Sequence, residues 1–339
     1  MNHFNGIGKG RGNGFFFSGM LFLFCTVILW PSGLLAQPPF SGTIFLDPDI
    51  ITERDHSTFT EIAGAGRGER VMFDRRVNSW VTLNPFLFLA KYEDGLEIEV
   101  QVNPEFETVD RALNQASKYA EVIGRLPTSL RKDVDTVWIH QGTNPFGGGN
   151  RNLLIHIGQA DLYVQSGILE ETLVHEASHT SLDAAHAQSE GWKQAQTADG
   201  EFISTYARDN PQREDIAETF LLYLALRYRS DRISDDLIAT INRTIPNRIS
   251  YFDGLELNMF PIVEPEPFSV IEFDFDKGNN RLNLGWVSLP NQVYALDIST
   301  DLTHWEVWVS DIASEGLKTS VTIDAESEVN PVFFKVRIE

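Results

Sequence analysis

His175-Glu176-Ala177-Ser178-His179 sets two imidazoles and one carboxylate in the spacing H-E-x-x-H. Residues four apart lie one above the other on a helix face, so both imidazoles can reach one ion. Glu176, beside the first histidine, is placed to take a proton from water that the ion activates. Zinc in such a site makes a nucleophile of water near neutral pH. The flanking sequence supplies the helix. Ile168, Leu169, Leu173 and Val174 have the apolar spacing of a half-buried helix. Gly167 can open it, and Glu170 and Glu171 in its first turn suit the helix dipole.

A catalytic zinc takes three protein ligands and keeps a fourth position open. Two residues downstream compete for the third place. His186 approaches the metzincin pattern H-E-x-x-H-x-x-G-x-x-H but falls one residue late, and Leu182 stands where that pattern has its turning glycine. A helix would carry His186 round to the wrong face. Glu214 is the better candidate. Asn210 and Pro211 read as the cap and first residue of a helix whose apolar stripe is Ile216, Ala217, Phe220, Leu221 and Leu224. Glu214 and Glu218 lie one turn apart on it, so one carboxylate can bind metal while the other holds a histidine from behind.

These residues carry a family resemblance. His175-Glu176-x-x-His179, then Asp183, then Tyr206-Ala207-x-x-Asn210 and Glu214-Asp215-Ile216-Ala217-Glu218 resemble the catalytic domain of anthrax lethal factor and related gluzincin peptidases. The resemblance spans about Gly167 to Arg229. It implies a zincin-like α+β domain in which His175, His179 and Glu214 bind zinc and Glu176 is the general base. Tyr206 would stabilise the oxyanion, and Glu218 would support a ligand from behind. In that family the sheet edge above the metal takes the substrate backbone as an added strand.

At the N-terminus, Lys9 and Arg11 precede an apolar run from Phe15 to Trp30, and Pro31, Gly33 and Ala36 follow. This reads as a secretory signal cleaved after Ala36, over residues 1–36, with an uncleaved membrane anchor as the competing reading. The single cysteine, Cys25, falls inside that run. The exported chain would therefore hold together by core burial without a disulfide, as its length allows. Acidic residues number 48 against 27 basic, a net charge of −21. Such a chain repels nucleic acid and anionic membranes, so neither is an expected partner, and a peptide or protein substrate is what the peptidase resemblance implies.

The stretches Val77 to Ala90 and Leu96 to Val102 read as strands around a Glu93-Asp94-Gly95 turn, and Val109 to Ile123 as a helix. Thr136 to His140 and Asn152 to Ile157 read as two more strands, with His156 able to reach the cleft. Asn144 to Asn150, with three consecutive glycines, reads as a loop, the flexible rim of a hairpin. Trp192 and the stretch to Phe202 are placed to wall the cleft. Further helices run to about Tyr228 and from Asp235 to Ile245. Glu264-Pro265-Glu266-Pro267 reads as a stiff linker over residues 264–267. It divides a catalytic domain, 37–263, from a module, 268–339, of short strands at regular spacing, expected to be a small all-β sandwich. The stretch Tyr294 to Trp305 resembles C-terminal fibronectin-like modules of secreted bacterial proteins. Attachment to a cell surface is one role for it, with Trp308 read as an exposed residue.

The leading expectation is an exported zinc-dependent endopeptidase, secreted or held at the cell surface. Its alternative is a secreted zinc-binding adhesion or structural protein without turnover. Glu176 speaks against that alternative, because a structural zinc site has no use for a base and is closed by four ligands.

Overall fold

The computed structural model describes residues 37–46, 50–264, 268–289, 292–316, 318–324 and 333–339. The expected signal, 1–36, and all of the expected linker but Glu264 lie outside the described residues.

The N-terminal half is built on one mixed sheet. Its strands are β1 (Phe59–Arg67), β4 (Phe86–Tyr92), β5 (Glu97–Val102), β6 (Thr136–His140), β8 (Asn152–His156) and β7 (Gly147–Gly149), in the order β1-β4-β5-β6-β8-β7. The pairs β5–β6 and β6–β8 are parallel, while β1–β4, β4–β5 and β7–β8 are antiparallel. A parallel pair needs a crossover, and α1 (Val109–Gly124) provides the one between β5 and β6. Thr108 caps α1 by accepting from the Arg111 N–H, and the helix buries Ala112, Ala116, Tyr119, Ala120 and Ile123.

Period-two alternation divides the side chains of the parallel strands between two faces. Val137, Ile139, Leu153 and Ile155 enter the main core, while Trp138 and Leu154 pack with Met72 on the opposite face. That second face is covered by a hairpin of β2 (Arg70–Asp74) and β3 (Ser79–Leu83). The main core continues into the helical half. It comprises α2 (Thr128–Arg131), α3 (Ile157–Gln165), α4 (Leu169–Leu182), α5 (Glu190–Asp199), α6 (Thr205–Asp209), α7 (Glu214–Tyr228), α8 (Asp235–Thr244) and α9 (Pro246–Asp253). Every residue of α7 from Glu214 to Leu226 is buried, which makes it the central helix of the core.

The C-terminal strands form two three-stranded sheets. They are β9 (Val270–Asp276), β10 (Arg281–Val287) and β13 (Lys318–Asp324), facing β11 (Val293–Ser299), β12 (Glu306–Ala313) and β14 (Phe333–Ile338). Leu284, Trp286, Tyr294 and Leu296 make their common core, separate from the main one. The chain is thus α+β, with a β-sandwich at its C-terminal end. Trp308 is half-buried here, stacked on Phe334 at 5.5 Å, and so is not the exposed residue expected.

Two local expectations are overturned. The glycine run is the edge strand β7, paired antiparallel with β8, where a flexible loop was expected, and α4 passes directly against it. A Cβ on Gly148 would lie 1.8 Å from the Glu176 carbonyl oxygen, so only glycine lets the strand and helix approach. The helix carrying Glu214 starts at Glu214 itself and not at Pro211. Asn210 instead closes α6, its N–H bonding to the Tyr206 carbonyl at 3.0 Å, and its own carbonyl receives the Glu214 N–H at 2.9 Å.

Candidate metal centre

Helices α4 and α7 pack side by side in the core and bring three ligand-type side chains together. His175 Nε2 lies 3.2 Å from His179 Nε2 and 3.3 Å from Glu214 Oε2, and His179 Nε2 lies 3.0 Å from the same oxygen. All three residues are buried, and they form a group able to hold a metal ion. The separations have a physical meaning. Ligand atoms about 2.0–2.1 Å from a tetrahedral zinc stand about 3.3 Å from one another. Three donor atoms here already occupy an arrangement with that edge length.

The surrounding bonds point the donors inward. The Nδ1 of His179 meets the Asp183 carboxylate at 3.0 Å. With Nδ1 turned to Asp183, Nε2 faces the Glu214 carboxylate, where either a proton or a metal ion fits between the two. Burial disfavours a charged His179, yet the Asp183 and Glu214 carboxylates outweigh it and push the imidazole up to about 9. Glu214 resists its own burial and is held well below the usual carboxylate range by His175 and His179. Behind His175, Glu218 places Oε1 3.7 Å from Nδ1 and accepts the Ile44 N–H at 3.0 Å with its other oxygen. Burial pushes the Glu218 carboxyl up to about 7.

The group opens onto a cleft of about 290 Å³ that also receives Glu176, Tyr206, Tyr163, Arg75 and Arg213. Tyr206 comes from α6, and burial with the nearby Glu214 carboxylate pushes its phenol up to about 12, so at neutral pH it is a hydrogen-bond donor. The structure therefore brings together His175, Glu176, His179, Tyr206 and Glu214.

Other candidates lie elsewhere. The Nδ1 of His186 bonds to the Tyr251 hydroxyl at 2.7 Å, in the single π-turn Asp183–Ala187 that follows α4. His156 does not reach the cleft. It stacks on His140 at 5.4 Å under the β2–β3 hairpin and bonds the Gln141 carbonyl through Nδ1. Trp192 is fully buried against Tyr251 and Phe252 and walls no cleft.

Several contributors carried no local signal. Thr43 and Phe45 line the cleft because the segment before β1 is strapped across the helices. Glu171 does the strapping: one of its oxygens accepts the Leu46 N–H at 2.7 Å, the other the Ile50 N–H at 3.3 Å. Its place on α4, one turn before His175, is the only sequence sign of that role. Arg75 arrives from the turn of the β2–β3 hairpin, far upstream of the helices.

No family model and no curated protein matches the chain. A solved structure that aligns with it is that of Legionella pneumophila aminopeptidase A in complex with aspartic acid. The identity is 10% and the TM-score 0.20, over 79% of this chain and 37% of that one. The chain thus spans well under half of that protein's length. A TM-score this low assigns neither fold nor function.

Proposed function

We propose that the chain is an exported zinc-dependent endopeptidase of gluzincin type. The observation that carries this reading is the convergence of two imidazole nitrogens and one carboxylate oxygen, 3.0–3.3 Å apart, beside a fourth side chain able to act as base. The donor set of two nitrogens and one oxygen suits zinc, and three protein ligands leave a position free for catalysis. When bound, zinc supplies a strong nucleophile from water and polarises the carbonyl under attack.

The chain's own residues do the rest. His175, His179 and Glu214 hold the ion, with Asp183 bonded to the His179 imidazole and Glu218 standing 3.7 Å behind that of His175. Glu176 lies on α4 between the histidines without joining their cluster, so its carboxylate is free to take a proton from the attacking water. It then passes that proton to the leaving amine. Tyr206, protonated at neutral pH, donates to the oxyanion. β7 is the edge strand of its sheet, and Phe146 just before it lines the cleft, so in this reading a substrate backbone pairs along that edge as an added strand. The same reading takes a peptide or protein as substrate, secretion by the N-terminal leader, and the β-sandwich as a means of attachment.

The test is a peptide-library digest with the chain starting at Gln37, in the presence of zinc and after its removal by a chelator. Internal cleavage that chelation abolishes and zinc restores supports the reading. A chain that binds zinc yet cleaves nothing supports the adhesion or structural alternative.

A further inference from the structure

The cleft beside the metal centre holds a cation that the fold does not use. The chain is strongly acidic, with 48 acidic residues against 27 basic, and its arginines are mostly consumed in pairs. Arg70 meets Glu99, Arg76 meets Asp74 and Glu105, Arg125 meets Glu121, and Arg131 meets Asp94. Arg75, beside Arg76 in the same turn, meets no acidic side chain among the described residues. Its guanidinium is directed at the edge strand instead, since a Cβ on Gly147 would lie 2.9 Å from Arg75 Nη2. Arg75 also borders two adjoining hollows. One is the cleft that holds His175, Glu176 and Glu214. The other, of about 210 Å³, is lined by Phe73, Trp80, Trp138 and the three glycines of β7. A second arginine, Arg213, faces the same cleft, but its Nε lies 3.5 Å from Glu214 Oε1, so it is partly engaged.

We propose that Arg75 is a specificity-determining residue that selects a substrate carboxylate at the cleft. This rests on the peptidase reading, in which a peptide lies along β7 and so passes Gly147. A guanidinium presents paired N–H donors that match a carboxylate, and no protein acid competes for this one. The carboxylate has two sources, an Asp or Glu side chain near the scissile bond, or the terminal carboxylate of a short peptide. The overall charge of −21 opposes acidic ligands only at long range. That repulsion is screened beyond about 10 Å at 0.1 M salt, whereas contact at Arg75 is not.

The experiment uses matched peptides with Glu or Gln, and Asp or Asn, at each of three positions on either side of a cleaved bond. Each is made as C-terminal acid and as amide. Binding is measured by calorimetry on Glu176→Gln, which does not depend on turnover, and kcat/KM is measured on the otherwise unaltered enzyme. The acidic member of a pair binds and reacts about tenfold better, the size expected of one charge-assisted contact. In Arg75→Gln the ratio falls to near one, and in Arg75→Glu the preference passes to a lysine-bearing peptide. Discrimination within Glu/Gln pairs identifies a side-chain carboxylate, and discrimination within acid/amide pairs a terminal one. Equal binding of acidic and neutral peptides, or a preference that survives in Arg75→Gln, overturns the proposal. Carboxylate-selective binding without any cleavage would uphold Arg75 and overturn the peptidase reading.

Discussion

Replacing Gly148 with alanine tests whether α4 and β7 are packed as closely as the metal centre requires. At ideal geometry the new Cβ lies 1.8, 2.6 and 2.9 Å from the O, C and Cα of Glu176. An ordinary carbon–oxygen contact is about 3.3 Å or more, so strand and helix must separate by about 1.5 Å. Neither yields easily. Glu171 ties α4 to Leu46 and Ile50, and the Ser181 hydroxyl donates to the Leu130 carbonyl at 2.7 Å. The Thr180 hydroxyl donates to the Asn152 carbonyl at 2.9 Å and accepts the Gly149 N–H at 2.8 Å. Overpacking costs about 1–3 kcal/mol, and a clash with main chain belongs at the upper end. About 3 kcal/mol lowers Tm by about 6 °C in a cooperative unit of the size of residues 37–263. Because the atom struck belongs to Glu176, a shift of about 1 Å should also cost about 100-fold in kcat/KM. Gly64→Ala is the control, since nothing lies within 4 Å of its Cβ position. The assay is a thermal melt followed by zinc content and peptide cleavage. A Gly148→Ala protein with unchanged Tm and full cleavage would refute the packing described for β7.

Three further predictions concern parts of the fold away from that contact. Burial holds His140 neutral down to about 4, against an ordinary value of 6.5. The unfolded chain therefore takes up the proton first, and stability present in full above about 6.5 is lost as pH falls towards 4. The loss is about 3 kcal/mol. Urea unfolding at pH 7 and 4.5 should show a smaller acid loss in His140→Gln, and an identical loss would count against a neutral His140. Glu214→Ala should strip most of the zinc while His186→Ala leaves it nearly unchanged, and mass-spectrometric metal content showing the reverse order would exchange the third ligand. A chain ending near Val263 should fold, bind zinc and cleave small peptides, because the β-sandwich has its own core around Trp286 and Tyr294. An insoluble or zinc-free product would place the domain boundary elsewhere.

What was legible in the sequence is what local spacing encodes. The i, i+4 histidines on α4 and the one-turn separation of Glu214 and Glu218 on α7 follow from helical geometry alone. The strands of the β-sandwich follow from alternation and turn residues. What was hidden depends on contacts between distant segments. Propensity reads three glycines as a loop, but they pair with β8 as an edge strand, and the closeness of Glu176 to Gly148 requires glycine there. Glu171 looks like one more acid at a helix start until Leu46 and Ile50 are seen to donate to it. Arg75 has no motif, and the β2–β3 hairpin carries it to the cleft through a fold over the sheet that no local pattern announces. Asn210 has the chemistry of a helix cap but is claimed by the preceding turn through Tyr206.

The central claim is that Glu176 moves protons at a zinc site it does not help to hold. The most direct measurement is zinc content and peptide cleavage on one preparation of Glu176→Gln, beside the unaltered chain. The account predicts about one zinc per chain in both proteins, and cleavage lowered by about 100-fold or more in the variant. Undiminished cleavage by Glu176→Gln, or loss of its zinc, would contradict it.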